Sequence, residues 1–465
     1  MRRPRVLVTL LVLMMIAAAC GQKAGVGGAT SNDAFGAGGA SNVQAGGAAN
    51  GDTGGTGATG VADTATTAPG ATGATGTGAA GSATSAGTSH AATATPAGDR
   101  TGITDTTITI GVHAPISGAA PFPQSSFQKG SPVYWDFLQT KGGVFGRMVK
   151  VIIMDDEYNP ASAKRVCQQM VEQNHVFLLI GGGGADQITA CAQYANSVGV
   201  PYLSAGVNEN GLRNLRGYFA FSMSYPAQSP LLVQWATKKL GGGKFAIAVE
   251  DTPSFADAHA SIVSAAKAGG LQIVYDKSIP KTVQQTDALS IANGLRASGA
   301  QIVYILASPQ SFVNIAAAAA GQAYNPHWIG PGITSGLNLV AQVGCPAIGA
   351  ANFLSPFPEL DVIDKLDPDF VPAYQKYAGG TPDDISLALW GLNKGLAQVF
   401  LAAGKDMTRQ SFVQTLESGK RFTTNVYPAG QFSPTNHFGS TQAHMLQADC
   451  SSRTYKTVAQ FASRF

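Results

Sequence analysis

The chain has 465 residues and a formal net charge of +3, with 45% hydrophobic residues. Basic residues form no run beyond the first few positions, so charge gives no ground for a nucleic-acid partner. Five cysteines are spread thinly with no CxxC and no Cys/His ligand spacing, which argues against a metal centre.

The first element in chain order is a targeting signal. MRRPR is a short positive stretch, residues 6–16 are apolar but too few to span a bilayer comfortably, and three alanines, Ala17, Ala18 and Ala19, precede Cys20. This order resembles a bacterial lipoprotein signal, which implies removal of 1–19 and a lipidated Cys20 holding the chain to the cell membrane. Lipoboxes usually carry Leu or Val where Ala17 stands, so plain cleavage after Ala19 stays open. Residues 21–100 then collapse to Gly, Ala, Thr and Ser, with Phe35 as the one aromatic. Such a segment cannot bury enough apolar surface to offset chain entropy, so 20–102 is expected to be a disordered tether with a reach of roughly 50 Å.

From residue 103 the composition is that of a globular protein, long enough for two lobes, and no later segment reads as a bilayer span. Strands are expected at 108–112, 149–154, 176–180, 201–203 and 218–222, and helices at 130–140, 161–173 and 188–197. Asn159 and Pro160 read as the N-cap and first-turn proline of the second helix. A second series follows: helices at 226–240, 255–268, 287–298 and 311–322, and strands at 244–249, 273–275, 302–306, near Trp328 and near 350–354. Helices at 370–377, 385–403 and 409–417 and a β-rich tail from 431 complete the chain. This alternation predicts an α/β fold of two doubly wound parallel-sheet lobes with a cleft between them.

Three consecutive acids, Asp155, Asp156 and Glu157, end the second strand. Neighbouring side chains on extended backbone point apart, so this spacing argues for structural or solvated roles over a shared metal or proton. With Cys20 set aside, four cysteines remain in an exported chain, and disulfides are the default. Cys167 and Cys191 fall on consecutive crossover helices that pack side by side, which pairs them and leaves Cys345 with Cys450; free buried thiols are the alternative.

Four stretches carry a resemblance: ITIGVHAPISG at 108–118, KGGVFGRMVKVIIMDDEYNPASA at 141–163, VFLLIGGGGADQITACAQYANSVGVPYLSAG at 176–206 and IGPGITS at 329–335. Together they are similar to the extracytoplasmic solute-binding proteins of the leucine/isoleucine/valine-binding family, which serve ATP-driven (ABC) importers. The resemblance implies a type I periplasmic-binding-protein fold in which the chain crosses three times between lobes, here near Tyr225, Phe357 and Tyr427. Lobe one would comprise 103–225 with 358–426, and lobe two 226–357 with 427–465. It implies a ligand clamped where strand carboxyl ends face the cleft, a small-molecule solute and importer permease subunits as partners, and no cofactor.

The loops of the first lobe that should face the cleft span 115–129, 181–188 and 204–210. GGGGAD at 181–186 lacks the glycine that a dinucleotide fingerprint needs at Asp186 and the Lys-Ser/Thr pair of a P-loop, so nucleotide binding is not expected. The glycines suit close backbone approach to a ligand. Amino-acid-binding members of the family hold the ligand carboxylate with hydroxyl residues and its ammonium with an acid from the second lobe. The matching positions here are Ala185, Asn208 and Gly332, and a tyrosine across the ligand is matched by Phe255. None is a close chemical substitute, so simple aliphatic amino acids are expected to bind poorly. The expected lining is Phe122, Ala185, Asp186, Ser204, Gly206, Asn208, Phe255, Ser308 and Gly332, which suits an uncharged, aromatic or cationic small molecule. A register slip would return a branched-chain amino acid or amide binder.

An enzyme would need a nucleophile with its base or paired titratable groups. The seven histidines show no HExxH spacing and no G-x-S-x-G elbow occurs. Solute capture is therefore favoured over catalysis, with a ligand-sensing receptor domain as the alternative on the same two lobes.

Overall fold

The structure, a computed structural model, describes residues 98–332 and 335–465; the signal 1–19, Cys20 and most of the tether lie outside them. β1 (Thr107–Ala114) buries Ile108, Ile110 and Val112 and pairs in parallel with β2 (Met148–Asp155) and β3 (Leu178–Gly181). β4 (Tyr202–Ser204) and β5 (Tyr218–Ala220) extend this sheet in the order β2-β1-β3-β4-β5. Parallel neighbours require crossovers, and α1 (Gln124–Gln139), α2 (Pro160–Glu172) and α3 (Ala185–Ser197) supply them. Asn159 caps α2 as its sequence suggests, its side-chain oxygen accepting the N–H groups of Ala161 and Ser162 at 2.8 and 3.2 Å.

The chain then enters a second lobe through α4 (Tyr225–Lys239), β6 (Lys244–Glu250), α5 (Ala256–Ala268), β7 (Gln272–Ile279) and α6 (Gln285–Ser298). β8 (Ile302–Leu306), α7 (Pro309–Gly321), β9 (His327–Gly330), α8 (Asn338–Gly344) and β10 (Asn352–Ser355) follow. After α9 (Ile363–Leu366), the helices α10 (Phe370–Tyr377), α11 (Asp384–Ala403) and α12 (Arg409–Glu417) return to the first lobe, where α10 and α11 pack on α1. A small antiparallel pair, β11 (Arg421–Phe422) and β12 (Gly430–Gln431), precedes β13 (Ala443–Asp449) and β14 (Thr454–Ala462). These last strands complete a second sheet in the order β14-β13-β10-β9-β8-β6-β7, antiparallel at the β10, β13 and β14 edge and parallel elsewhere. Two parallel-rich sheets covered by helices give the expected α/β two-lobe architecture.

Several boundaries depart from the sequence expectation for physical reasons. α1 begins at Gln124, not 130, and runs through both Gly130 and Pro132. Gly130 is where α1 meets α11 so closely that a Cβ would lie 2.7 Å from Ser386 Oγ, and at Pro132 the helix forgoes one backbone hydrogen bond. α3 begins at Ala185, not 188, because Gly184 at φ +81° ends the loop immediately before it. The short α8 has no counterpart in the sequence expectation.

The second crossing comes a little after Phe357, since the Glu359 N–H still donates to Thr457 Oγ1 of β14 at 2.8 Å. The third falls well after Tyr427. Phe432 packs edge-on to Phe219 and Phe221, and His437 stacks on Phe219 at 4.1 Å between ring centroids. Ala220 and Gly439 complete the attachment through backbone hydrogen bonds, Ala220 N–H to His437 O at 2.9 Å and Gly439 N–H to Ala220 O at 2.8 Å. The chain therefore stays beside β5 through Gly439 and reaches the second sheet only at β13.

One helix corrects the expectation that no late segment is apolar enough to span a bilayer. α11 passes that test by length and hydropathy, yet 72% of its most apolar window is buried inside the first lobe. It is a core helix. Disulfides join Cys167 of α2 to Cys191 of α3 and Cys345, after α8, to Cys450, after β13.

Candidate functional site

Open α/β sheets present their ligand sites beyond the carboxyl ends of their strands. Here β3 and β4 of the first lobe face β6 and β8 of the second across a cavity of about 30 Å³. Loops 181–185 and 205–207, together with Phe122 and Tyr158, form the first-lobe wall; Tyr225, Phe255 and residues 306–308 form the other. That volume holds roughly two water molecules, so a larger solute enters only as the lobes part or the rings swing aside. The glycines have steric reasons to be there. A Cβ on Gly183 would sit 2.8 Å from the Phe122 ring and one on Gly184 would meet the Gln187 amide at 2.2 Å.

Of the residues expected from the sequence, Phe122, Ala185, Gly206, Phe255 and Ser308 line the cavity. Ser204, Asn208, Asp186 and Gly332 are engaged elsewhere. Ser204 Oγ pairs with the Tyr218 hydroxyl at 2.7 Å and accepts the Gly206 N–H at 3.2 Å, so it shapes the loop from behind. The Asn208 side-chain amide donates to Asn210 O at 2.6 Å and Thr189 Oγ1 at 3.3 Å, tying its loop to α3. Gly332 donates its N–H to Gln228 Oε1 at 3.2 Å.

Asp186 is a fastener between lobes. Its carboxylate accepts the Thr252 hydroxyl at 2.6 Å and pairs with Lys281 Nζ at 2.5 Å, both from the second lobe. Burial alone would raise its pKa, but the bonds from Lys281 and Thr252 outweigh it and hold the group below the usual carboxylate range. A second fastener lies alongside, where Asp257 Oδ2 accepts the N–H groups of Glu209 and Asn210 at 2.9 and 2.7 Å.

Tyr158 and Tyr225, absent from the sequence expectation, also line the cavity, and Glu250 and Lys281 stand just behind it, bound to or beside lining residues. Tyr158 is turned toward the cleft by left-handed backbone at Glu157 (φ 56°) and Tyr158 (φ 51°). Tyr225 opens α4 and stands 5.9 Å from Phe255, ring to ring. Glu250 ends β6, 4% exposed, with Oε2 accepting the Ser308 N–H at 3.1 Å. Burial drives its carboxyl up to about 7, against the pull of Lys281 and the Ser308 amide, and the charge of Asp186 adds to the rise. Burial first, and then Glu250 and Asp186, push the Tyr158 hydroxyl well above its ordinary range. An acid at the carboxyl end of the apolar strand FAIAVE is a legible signal for Glu250.

The three acids after the second strand divide into separate structural roles. Asp155 accepts from the N–H of Ile116, Ser117 and Glu157 and from the Ser117 hydroxyl, which folds the 115–118 loop. Asp156 is wholly buried against His113 Nδ1 at 2.7 Å, and His113 Nε2 meets the Tyr202 hydroxyl at 2.6 Å. Glu157 accepts the Ser162 hydroxyl at 2.9 Å. His113 also lies near the sulfurs of Cys167 and Cys191, but both are in the disulfide, so this grouping offers no thiolate to a metal.

A family profile described as "Periplasmic binding protein" matches residues 107–454. A search of curated proteins finds no match. Among solved structures, the chain is similar to a fatty acid ABC transporter substrate-binding protein from Thermomonospora curvata, at 18% identity and a TM-score of 0.66 over 80% of this chain and 95% of that one. It is similar to a solute-binding protein of an ABC transporter from Rhodopseudomonas palustris BisB5 in complex with 3,4-dihydroxy benzoic acid, at 17% identity and a TM-score of 0.65 over 77% and 98%. A third is the branched-chain amino acid transporter substrate-binding protein LivJ from Streptococcus pneumoniae in complex with isoleucine, at 18% identity and a TM-score of 0.64 over 76% and 100%.

Proposed function

Because the chain belongs to the periplasmic binding protein family, we propose that it captures a small solute in the interlobe cleft, without transforming it, and delivers it to the permease of an ABC importer. The protein works outside the cytoplasm, held to the membrane through a lipidated Cys20. The observation that carries this reading is the placement of the cavity between the carboxyl ends of both sheets, walled from both lobes and bridged by direct interlobe hydrogen bonds. A ligand gripped by both walls stabilises the closed form by mass action.

The similar structures are named for a fatty acid, 3,4-dihydroxy benzoic acid and isoleucine, so this architecture is compatible with ligands of very different chemistry. Gly332, packed against Tyr225, brings no side-chain acid to the cleft and Ala185 brings no hydroxyl to its wall, which supports a ligand other than a simple aliphatic amino acid. A thermal-shift screen of amino acids, amides, amines, aromatic acids and fatty acids tests the reading. At least one class is expected to raise the melting temperature by several degrees, and strong stabilisation by leucine or valine would overturn the exclusion of aliphatic amino acids. For the anchor, Cys20→Ser is expected to release the protein from membranes; unchanged retention counts against lipidation.

A further inference from the structure

Four aromatic rings, Phe122, Tyr158, Tyr225 and Phe255, share the wall of one small cavity. Most of the remaining wall is glycine, alanine and aliphatic side chains. Ring faces carry negative potential and attract cations. One ring of the set already accepts a positive charge, since Lys281 Nζ lies 5.7 Å from the centroid of Tyr158.

Glu250 supplies the second observation. It is 4% exposed and holds the Ser308 N–H from behind the wall that Ser308 lines. Lys281, the lysine whose charge acts on Glu250, is engaged with Asp186 at 2.5 Å. With that pair cancelling, an ionised Glu250 leaves the trio of Glu250, Asp186 and Lys281 one negative charge in excess, and a buried charge without a partner is costly. A neutral solute leaves that cost in place. An anionic solute meets two carboxylates against one lysine.

Resting on the reading of this cleft as the solute site, we propose that the solute is a small organic cation, an amine or quaternary ammonium, boxed by Phe122, Tyr158, Tyr225 and Phe255 with Glu250 as its counter-charge. Binding then favours ionised Glu250 and releases a proton wherever the free protein holds one. The groups that face Glu250 are Lys281 after β7, Asp186 on α3, Tyr158 after β2 and Tyr225 on α4, with the Ser308 amide. Asp186 is held low and both tyrosines are held high. Among these four ionisable acids, only Glu250 changes charge between about pH 5.5 and 8.

The test uses calorimetry and thermal shift on the folded chain with choline, tetramethylammonium and tyramine. The comparison compounds are 3,3-dimethyl-1-butanol, which is choline-shaped but neutral, with benzoate and leucine. The cations are expected to bind and to tighten about tenfold from pH 5.5 to pH 8, and Glu250→Gln is expected to lose both the affinity and the pH dependence. The wild-type pH profile decides the matter without a variant should Glu250→Gln fold poorly. The proposal is overturned if the butanol binds as well as choline, or if affinity is flat with pH. Binding of benzoate or leucine with the cations inactive overturns it while leaving solute capture standing. If no compound of any class stabilises the protein, both fall.

Discussion

At Gly332 the backbone sits at φ +83°, and a Cβ there would lie 2.5 Å from the Tyr225 ring. The space that an acid would need in order to hold a ligand ammonium from this position is already filled by tyrosine. Gly332→Ala is expected to cost about 2 kcal/mol or more through backbone strain and displacement of a buried ring, measured by urea unfolding; a neutral result would show that Tyr225 moves freely. The lining residues legible in the sequence, Phe122, Ala185, Gly206, Phe255 and Ser308, sit in loops after strands, where a correct strand assignment carries them to the cleft. Tyr158 and Tyr225 are not legible in this way. Their placement depends on two left-handed residues and on the geometry of a crossing, which no hydrophobic period encodes. Asp186 reads from the sequence as facing the ligand because the apolar pattern starts α3 one turn late, and its partners Thr252 and Lys281 come from sequence positions 66 and 95 residues away.

The helices and sheets follow from alternation and capping wherever local signals and tertiary contacts agree, as at Asn159. They depart from it where packing overrides the local signal, as in α1, whose Gly130 is the point of close approach to α11. The two disulfides act between elements and differ in the length of chain they close. Cys167–Cys191 spans 24 residues and Cys345–Cys450 spans 105. On loop-closure entropy the first removes about 3 kcal/mol from the unfolded chain and the second about 5 kcal/mol. Replacing the Cys345 and Cys450 pair by serines is therefore expected to shift the denaturation midpoint further than replacing the Cys167 and Cys191 pair. Equal shifts, or free thiols in non-reducing peptide mapping, would contradict this ranking.

The whole molecule is two sheets joined by crossings and shut by a few polar contacts. Thr252→Val with Lys281→Met removes both partners of Asp186 across the cleft and is expected to weaken closure by about 1–3 kcal/mol. Small-angle scattering would register this as a larger radius of gyration, and an unchanged radius would show that the remaining interlobe bonds, those of Asp257 and of Asn210 to Pro253 O among them, suffice to keep the lobes together. Lobe order and sheet type are legible from the alternation of elements, whereas the third crossing is displaced because residues 430–439 are held to β5 by the aromatic contacts of Phe432 and His437.

Near the start of the described chain, Arg409 of α12 is almost wholly buried, pairs with Asp99 at 2.6 Å and donates to the carbonyls of Val176 and Phe177 at 2.7 and 2.9 Å. Those carbonyls lie just before β3, at the amino end of the first sheet, opposite the cleft. The start of the described chain is thus cleated to one lobe, on its far side. A pull applied at residue 98 would be borne by the first lobe alone, through Asp99 and Arg409, and would leave the crossings to the second lobe unloaded.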